Sequence, residues 1–480
     1  MTPEQAPRRT PSWSAHWTLA TLTLLSACSS PAPRAPVAPW SNAQLGLQAQ
    51  TSAEIAANWW TTWGDSRLQQ LIGQALQDHP SMQQAQARVR RMQALTGVAE
   101  AADAPQATLG ADFSRQRYSA NGLFPAPIAG RTWNNDTLQI SLGWSPDLWG
   151  EHAAATAAAV GQTRAAEAEA AMARQMLASQ ILRASIGLAR LLAHQDASSE
   201  LLKLRETAQA LVRQRHEAGL DTRMEQTQSD TTLAELRTQH HALQEQIALA
   251  RHQLAVLCGL PPQALLDYAP RLDNFALTPL PTQLGADLLG RRPDVVAARW
   301  RAEAAQHNTH VARAQFYPSV SLGAFAGYNA LGTEHLLEAG SRQYGIVPAL
   351  RLPLFEGGRL QAQLSGREAD RDLAVAQYNQ AVLDAVREAA DAIRSSEGAA
   401  QQAATQARAL DGARQTHALA QQREQAGLTN RLASLGTQAA LIGQERTAAD
   451  LQARQLDVRV QLVRALGGGW SAPAQTTAQR

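Results

Sequence analysis

Apolar residues recur along this chain with two different periods. Between residues 233 and 257, Leu233, Leu236, Leu243, Ile247, Leu254 and Leu257 follow a seven-residue seam built from steps of three and four. That is the spacing at which side chains stack along one face of a helix packed in coiled-coil fashion. No proline occurs between Pro146 and Pro261, or between Pro353 and Pro473, so two stretches of more than a hundred residues are free of the strongest helix breaker. Elsewhere the period falls to two. Leu109, Ala111 and Phe113 begin one alternating segment, and Leu138, Ile140, Leu142 and Trp144 form a second. Val320, Leu322, Ala324, Ala326 and Tyr328 form a third, with Ile346, Pro348, Leu350 and Leu352 a fourth. Segments of about ten residues with one apolar face suit a transmembrane barrel. A soluble hairpin lying on helices shows the same alternation, so the pattern alone leaves both open.

The pattern is written twice. DHPSMQQAQARV from Asp78 aligns with RRPDVVAARWRA from Arg291, pairing Pro80 with Pro293 and Ala85 with Ala298 at an offset of 213. The offset persists through Val98 and Val311, Pro105 and Pro318, and Gly110 and Gly323. Beyond the strands, Ser145-Pro146-Asp147-Leu148-Trp149-Gly150 matches Leu352-Pro353-Leu354-Phe355-Glu356-Gly357 at 207, which places six extra residues in a loop of the first copy. Gly219-Leu220 then pairs with Gly427-Leu428 at 208, leaving 69 residues from Gly150 to Gly219 and 70 from Gly357 to Gly427. A helix of that length extends roughly 100 Å. Each copy is predicted as a helix, two strands, then a long helix, a turn and a helix. The Gly-Leu turns lie at the far tip, where a gate would sit.

If the strands cross a membrane, every backbone amide in the hydrocarbon needs a partner, which only a closed barrel supplies. Four strands cannot close one. Copies of the chain must then share a barrel, of about eight strands for two copies or twelve for three. Passage of solutes requires the wider. The Ala-rich run from Ala153 to Ala173 would let neighbouring helices of the wall approach closely.

The amino terminus adds a location. Arg8 and Arg9 precede the short apolar core Leu19-Ala20-Thr21-Leu22-Thr23-Leu24-Leu25, which reads as an export signal too short to span a bilayer. Leu25-Ser26-Ala27-Cys28 looks like a bacterial lipobox, which implies an N-terminal diacylglycerol and a fatty acyl chain on Cys28 as a membrane anchor. Ser29, where the lipoprotein resemblance would place Asp for inner-membrane retention, points to the outer membrane. PAPRAPVAP over residues 31–39 is an extended Pro/Ala spacer. The expected layout is a signal peptide at 1–27, a lipidated tether at 28–58, repeats at 59–270 and 271–472, and a tail at 473–480. Cys258 sits on an apolar helical stretch as core filler.

Composition removes other classes. The 480 residues are 45% hydrophobic and only 5% aromatic, with a formal charge of +2, the usage of long packed helices. No basic block interleaved with aromatics points to nucleic acid. No Gly-rich phosphate loop, nucleophile elbow or Cys/His cluster with metal spacing is present, so neither an enzyme nor a cofactor or metal site is expected. His240-His241 falls on and beside the helical seam. Glu167 and Glu169 point to different sides of a helix.

These features together resemble the TolC-like outer-membrane factors, in their lipoprotein branch serving resistance-nodulation-division multidrug efflux systems. The carriers are Trp59-Trp60 with Leu68 and Leu71 ahead of Pro80, the junctions Ser145 to Gly150 and Leu352 to Gly358, and LAVLCGLPP from Leu254. Arg291-Arg292-Pro293-Asp294-Val295, Phe316-Tyr317-Pro318 and Ala465-Leu466-Gly467-Gly468-Gly469-Trp470 complete them. The resemblance implies a mainly α chain with a small membrane β part. It implies a homotrimer, four strands per chain forming a twelve-stranded outer-membrane β-barrel above a periplasmic α-barrel. A periplasmic adaptor and an inner-membrane pump engage this duct, and cargo passes unchanged. Gate or adaptor-contact candidates carried over are Gly219, Leu220, Asp221, Thr222 and Arg223, with Gly427, Leu428, Thr429, Asn430 and Arg431. Relatives often carry an aspartate after the second turn where this chain has Leu435-Gly436-Thr437-Gln438; Asp221, Glu225 or Asp230 could supply that charge. A coiled-coil linker between envelope layers, or a duct for protein secretion, are the competing readings.

Overall fold

The computed structural model describes residues 36–41, 44, 55–275 and 288–471. Cys28, the 1–27 signal, most of the tether and the 473–480 tail lie outside them. The first copy runs through α1 (Ser66–Asp78), α2 (Pro80–Ala101), β1 (Gln106–Arg117), β2 (Thr132–Trp144), α3 (Glu151–Glu217) and α4 (Arg223–Leu257). The second runs through α5 (Pro293–Ala314), β3 (Ser319–Leu331), β4 (Arg342–Arg351), α6 (Arg359–Gln425) and α7 (Arg431–Ala465).

Corresponding helices have identical lengths: 22 residues in α2 and α5, 67 in α3 and α6, and 35 in α4 and α7. The one-residue mismatch expected from the proline-matched junctions therefore disappears. Gly150 (φ 74°) caps the start of α3 and Gly358 (φ 84°), not Gly357, caps α6, so this left-handed position sets the phase and the offset there is 208. The hairpins agree. Arg115 pairs with Asn134 while its counterpart Tyr328 pairs with Arg342, so the segments between these equivalent pairs are residues 116–133 and 329–341, a difference of five and not six.

The core lies where the copies meet, midway along the long helices. Trp59, Trp60 and Trp63 pack edge to face (ring centroids 6.0 and 5.9 Å) in a cluster with Leu68, Ile72, Ile181, Leu182, Leu188 and Leu254. Leu68, Ile72, Ile181, Leu182, Leu188 and Leu254 are fully buried, each contributing about 1.5–3 kcal/mol over exposure. The seam of α4 behaves as its period requires: Leu233, Leu236, Ile247 and Leu254 are buried, with Leu243 and Leu257 partly so against the same cluster. Cys258 also belongs to it, and burial pushes its thiol up to about 12, which makes it inert at neutral pH.

The Ala-rich part of α3 meets α5 closely. A Cβ on Gly161 would come within 3.0 Å of Ala304 Cβ and 3.3 Å of the Trp300 carbonyl, so any side chain there would push the two helices apart by a few tenths of an ångström. Ala165 and Ala168 are buried against Val296 and Ala297 beside it. One stretch of α3 is apolar enough for a membrane span by composition, and half of it is buried in the protein; its apolarity serves helix packing. At the start of α5, the buried Arg292 donates to Asp294 (2.6 and 3.0 Å), Glu388 (3.0 Å) and the Ala465 carbonyl (3.3 Å). Burial opposes its charge, but these acids outweigh it and raise its pKa.

Candidate functional site

The strands form one antiparallel sheet in the order β1-β2-β3-β4. Leu109 pairs with Ile140, Ile140 with Ala326, and Ala326 with Tyr344, so all four alternating sets lie on one face. Opposed residues point the same way in an antiparallel ladder. That face is exposed: Leu109 71%, Ile140 57%, Tyr344 84% and Ile346 74%. The other face carries Thr108, Gly110, Asp112, Ser114, Gln139, Ser141, Gly323, Asn329 and Gln343, with Phe325 seated where Gly345 leaves room for its ring. Aromatic residues mark both ends of the apolar band. Trp149 stacks on Tyr317 at 5.0 Å and donates to the Pro318 carbonyl at 2.7 Å, while Tyr328 and Tyr344 stand at the opposite end. An apolar outside, a polar inside and aromatic girdles are the anatomy of a membrane barrel wall. A hairpin packed on helices would bury its apolar face, and this one does not.

The long helices run from the sheet to two tips. Each tip closes with the same hydrogen bonds. Leu220 N–H donates to Arg215 C=O at 2.8 Å and Leu428 N–H to Arg423 C=O at 2.8 Å, with Gly219 and Gly427 both at φ 73°. This is the glycine-terminated Schellman motif. Helix starts then differ: Glu225 accepts from Thr222 N–H at 2.6 Å, whereas Asn430 accepts from Ala433 N–H at 2.9 Å.

The tips differ more in charge. Arg215 donates twice to Asp221, at 2.9 and 2.8 Å, and His216 donates to the Asp221 carbonyl at 3.1 Å. The Arg215 hydrogen bonds hold Asp221 below the usual carboxylate range, and those from Thr222 do the same for Glu225. Asp230 accepts from Gln209 at 2.5 Å. All three acids considered as substitutes for an acidic ring thus have partners inside the protomer. In the second copy Thr429 takes the place of Asp221, and Arg423, Arg431 and Arg223 make no side-chain hydrogen bond or ion pair among the described residues. Leu220 and Leu428 are exposed to 68% and 69%. Arg215 and Arg423 were missed by motif matching; their signal was position, five residues before the leucine that closes each turn. At the level of Gly436, Thr437 shares a hydrogen bond with His417 (3.1 Å).

Other side chains have plain structural partners. His240 shares a hydrogen bond with Ser198 (3.2 Å) and one with Gln244 (3.1 Å). Glu167 pairs with Arg164 on its own helix while Glu169 reaches Arg301 on α5.

An open, four-stranded wall with a lipid-like outer face, continued by paired helices of equal length, has close counterparts. The sequence matches the outer membrane efflux protein family over residues 71–260 and 284–468, one piece in each copy. The chain belongs to this family. The efflux protein is 36% identical to the fusaric acid resistance protein FusA of Burkholderia cepacia, over 86% of this chain and 79% of the relative. It is 32% identical to the putative multidrug resistance outer membrane protein MdtQ of Escherichia coli, over 86% and 88%. Among solved structures, the outer membrane protein VceC of Vibrio cholerae superposes with a TM-score of 0.78 at 36% identity, covering 86% of this chain and 98% of the other. The outer-membrane channel OprN superposes at 0.80 with 26% identity, over 92% and 99%. This efflux protein is accordingly an outer-membrane channel, with its strands in the β-barrel part and its long helices in the periplasmic tunnel.

Proposed function

We propose that the chain is the homotrimeric exit duct of a tripartite efflux pump, conducting small molecules unchanged from a periplasmic adaptor and an inner-membrane pump of the resistance-nodulation-division type to the exterior. The observation that carries this is the sheet: two faces of opposite polarity and two open edges, β1 and β4, which a four-stranded wall cannot close alone. Three copies supply twelve strands and a lumen lined by the polar face. Small-molecule cargo is supported by the names of FusA and MdtQ. The proposed gate is at the tips, where Arg223, Arg423 and Arg431 have no side-chain hydrogen bond or ion pair among the described residues and are available to acids or carbonyls of a neighbour, and where Leu220 and Leu428 offer apolar contacts to an adaptor. Lipidation of Cys28 adds a second anchor.

The test is the native mass of protein extracted from outer membranes in mild detergent, followed by compound accumulation in cells carrying adaptor and pump. A trimer whose loss raises accumulation supports the duct; a stable monomer refutes it. Mass spectrometry of the mature amino terminus decides the lipid. A Cys28→Ser variant is expected to lose the lipid yet still assemble, because the barrel is the main anchor; failure to assemble would contradict that.

A further inference from the structure

Three arginines stand on the lipid-facing side of the sheet, at the end away from the helices. Alternate residues of a strand point the same way, so Arg115 and Arg117 continue the outward row of Leu109, Ala111 and Phe113 on β1, and Arg342 precedes Tyr344 and Ile346 in the outward row of β4. All three are exposed, and none makes a side-chain hydrogen bond or ion pair among the described residues. We propose that these arginines form a binding site for the phosphate groups of an outer-leaflet lipid, held against the outside of the barrel where two protomers meet.

Depth and chemistry both point to that occupant. The outward apolar row ends at Phe113 on β1 and at Tyr344 on β4, so the charges begin where hydrocarbon gives way to headgroups. A cation held in hydrocarbon is costly, whereas a long side chain at this level carries its charge into the headgroup zone. There the guanidinium meets phosphate, which it matches with two parallel N–H donors. Arg115 and Arg117 lie two residues apart on one strand, with Cα atoms about 7 Å from each other, close enough for both to serve one headgroup.

The duplication shows that these charges are not a by-product of the fold. The counterparts of Arg115, Arg117 and Arg342 are Tyr328, Ala330 and Asn134, all neutral and all on the two central strands. Over those strands the segment after β3 closes: Thr333 donates to buried Asp136 at 2.6 Å, Asn134 donates to Thr333 at 3.2 Å, and Ala330 is buried. The acids of that segment have a cation of their own, since Glu338 lies 2.9 Å and Glu334 3.8 Å from the His335 imidazole. The arginines are therefore confined to β1 and β4, the open edges. In the homotrimer proposed above, on which this step rests, those edges border one another, so each boundary gathers Arg342 of one protomer with Arg115 and Arg117 of its neighbour. A lipid carrying more than one phosphate is the occupant that fits three cations so placed.

The test uses the full-length protein, purified in mild detergent, and lipid A carrying two phosphates, with the same lipid stripped of its phosphates and inorganic phosphate as comparators. Phosphorylated lipid A should bind, more weakly as salt rises. Arg115→Gln, Arg117→Gln and Arg342→Gln should each weaken binding about five-fold, and together about a hundred-fold. Arg351→Gln, on the polar face at the other end of β4, should leave it unchanged. Undiminished binding by the triple variant at trimeric native mass overturns the site and leaves the trimer standing; so does equal binding of the dephosphorylated lipid, or displacement by inorganic phosphate at the concentration of the lipid itself. Should the triple variant fail to assemble, the three single variants decide by the same criterion. A monomeric native mass of the unsubstituted protein overturns the homotrimer, and with it the site at the boundary.

Discussion

At the first tip, Arg215 is pinned by the Asp221 carboxylate within its own turn; at the second, Thr429 stands where that acid would be and Arg423 is left without one. The backbones of the two turns carry the same hydrogen bonds at the same lengths. Geometry is therefore shared and chemistry is not. In the first turn an arginine and an acid hold each other, while the matching arginine of the second turn has no acidic partner among the described residues. A duplicated fold lets one copy hold the scaffold and the other specialise, because the Schellman backbone needs only glycine at one position and tolerates any side chain around it.

The sharpest way to separate the copies lies away from the tips, at the starts of α5 and α2. Arg292→Ala removes a buried cation and leaves Asp294 and Glu388 facing each other; since both acids are partly solvated, a loss of about 3 kcal/mol is expected, read as a lowered thermal midpoint in detergent. His79→Ala, at the counterpart position, removes a capping side chain that receives Ser81 N–H and shares a hydrogen bond with Ser81 Oγ, and should cost about 1 kcal/mol. Equal losses would mean that the two junctions bear the same load.

Next in size, Gly219→Ala and Gly427→Ala should each cost about 1 kcal/mol locally, because both force a Cβ into the left-handed region. The two should match, measured by hydrogen exchange of the amides that close each turn. A clear difference would show that the tips are not equivalent in backbone either.

The smallest effect concerns charge. Asp221 and Glu225 have folded pKa values lowered by their partners, so their contribution is present above the unfolded carboxylate value and is lost as pH falls through the lowered one. Amide exchange around residues 220–222 should accelerate in that acid range, whereas residues 428–430 should not follow. Thr429→Asp should give Arg423 a partner and transfer the acid sensitivity to the second tip; no transfer would detach the pair from the effect.

Much of this was legible in the chain. The seam of α4, the apolar face of all four strands, the duplication and the glycine turns follow from periodicity and from residues with special backbone freedom, and those are local properties. The offset at the strand-to-helix junction was misread by one residue because Pro146 and Pro353 look equivalent in sequence. What holds the phase is the left-handed cap at Gly150 and Gly358, and only the ladder and helix bounds reveal it. Likewise Asp221 is one of three acids that the sequence offers for a ring of charge, and only the turn that brings Arg215 against it shows that it already has a partner.

By itself, the sequence determined the order of the main elements, the near-equal spans of the two long helices and the polarity of each strand face, since these depend on spacing along one chain. The tertiary structure alone decided which side chains are already spent on one another, how closely α3 and α5 approach at Gly161, and which edges and helix faces remain open. Those are matters of distance between residues far apart in the chain, which no local period encodes.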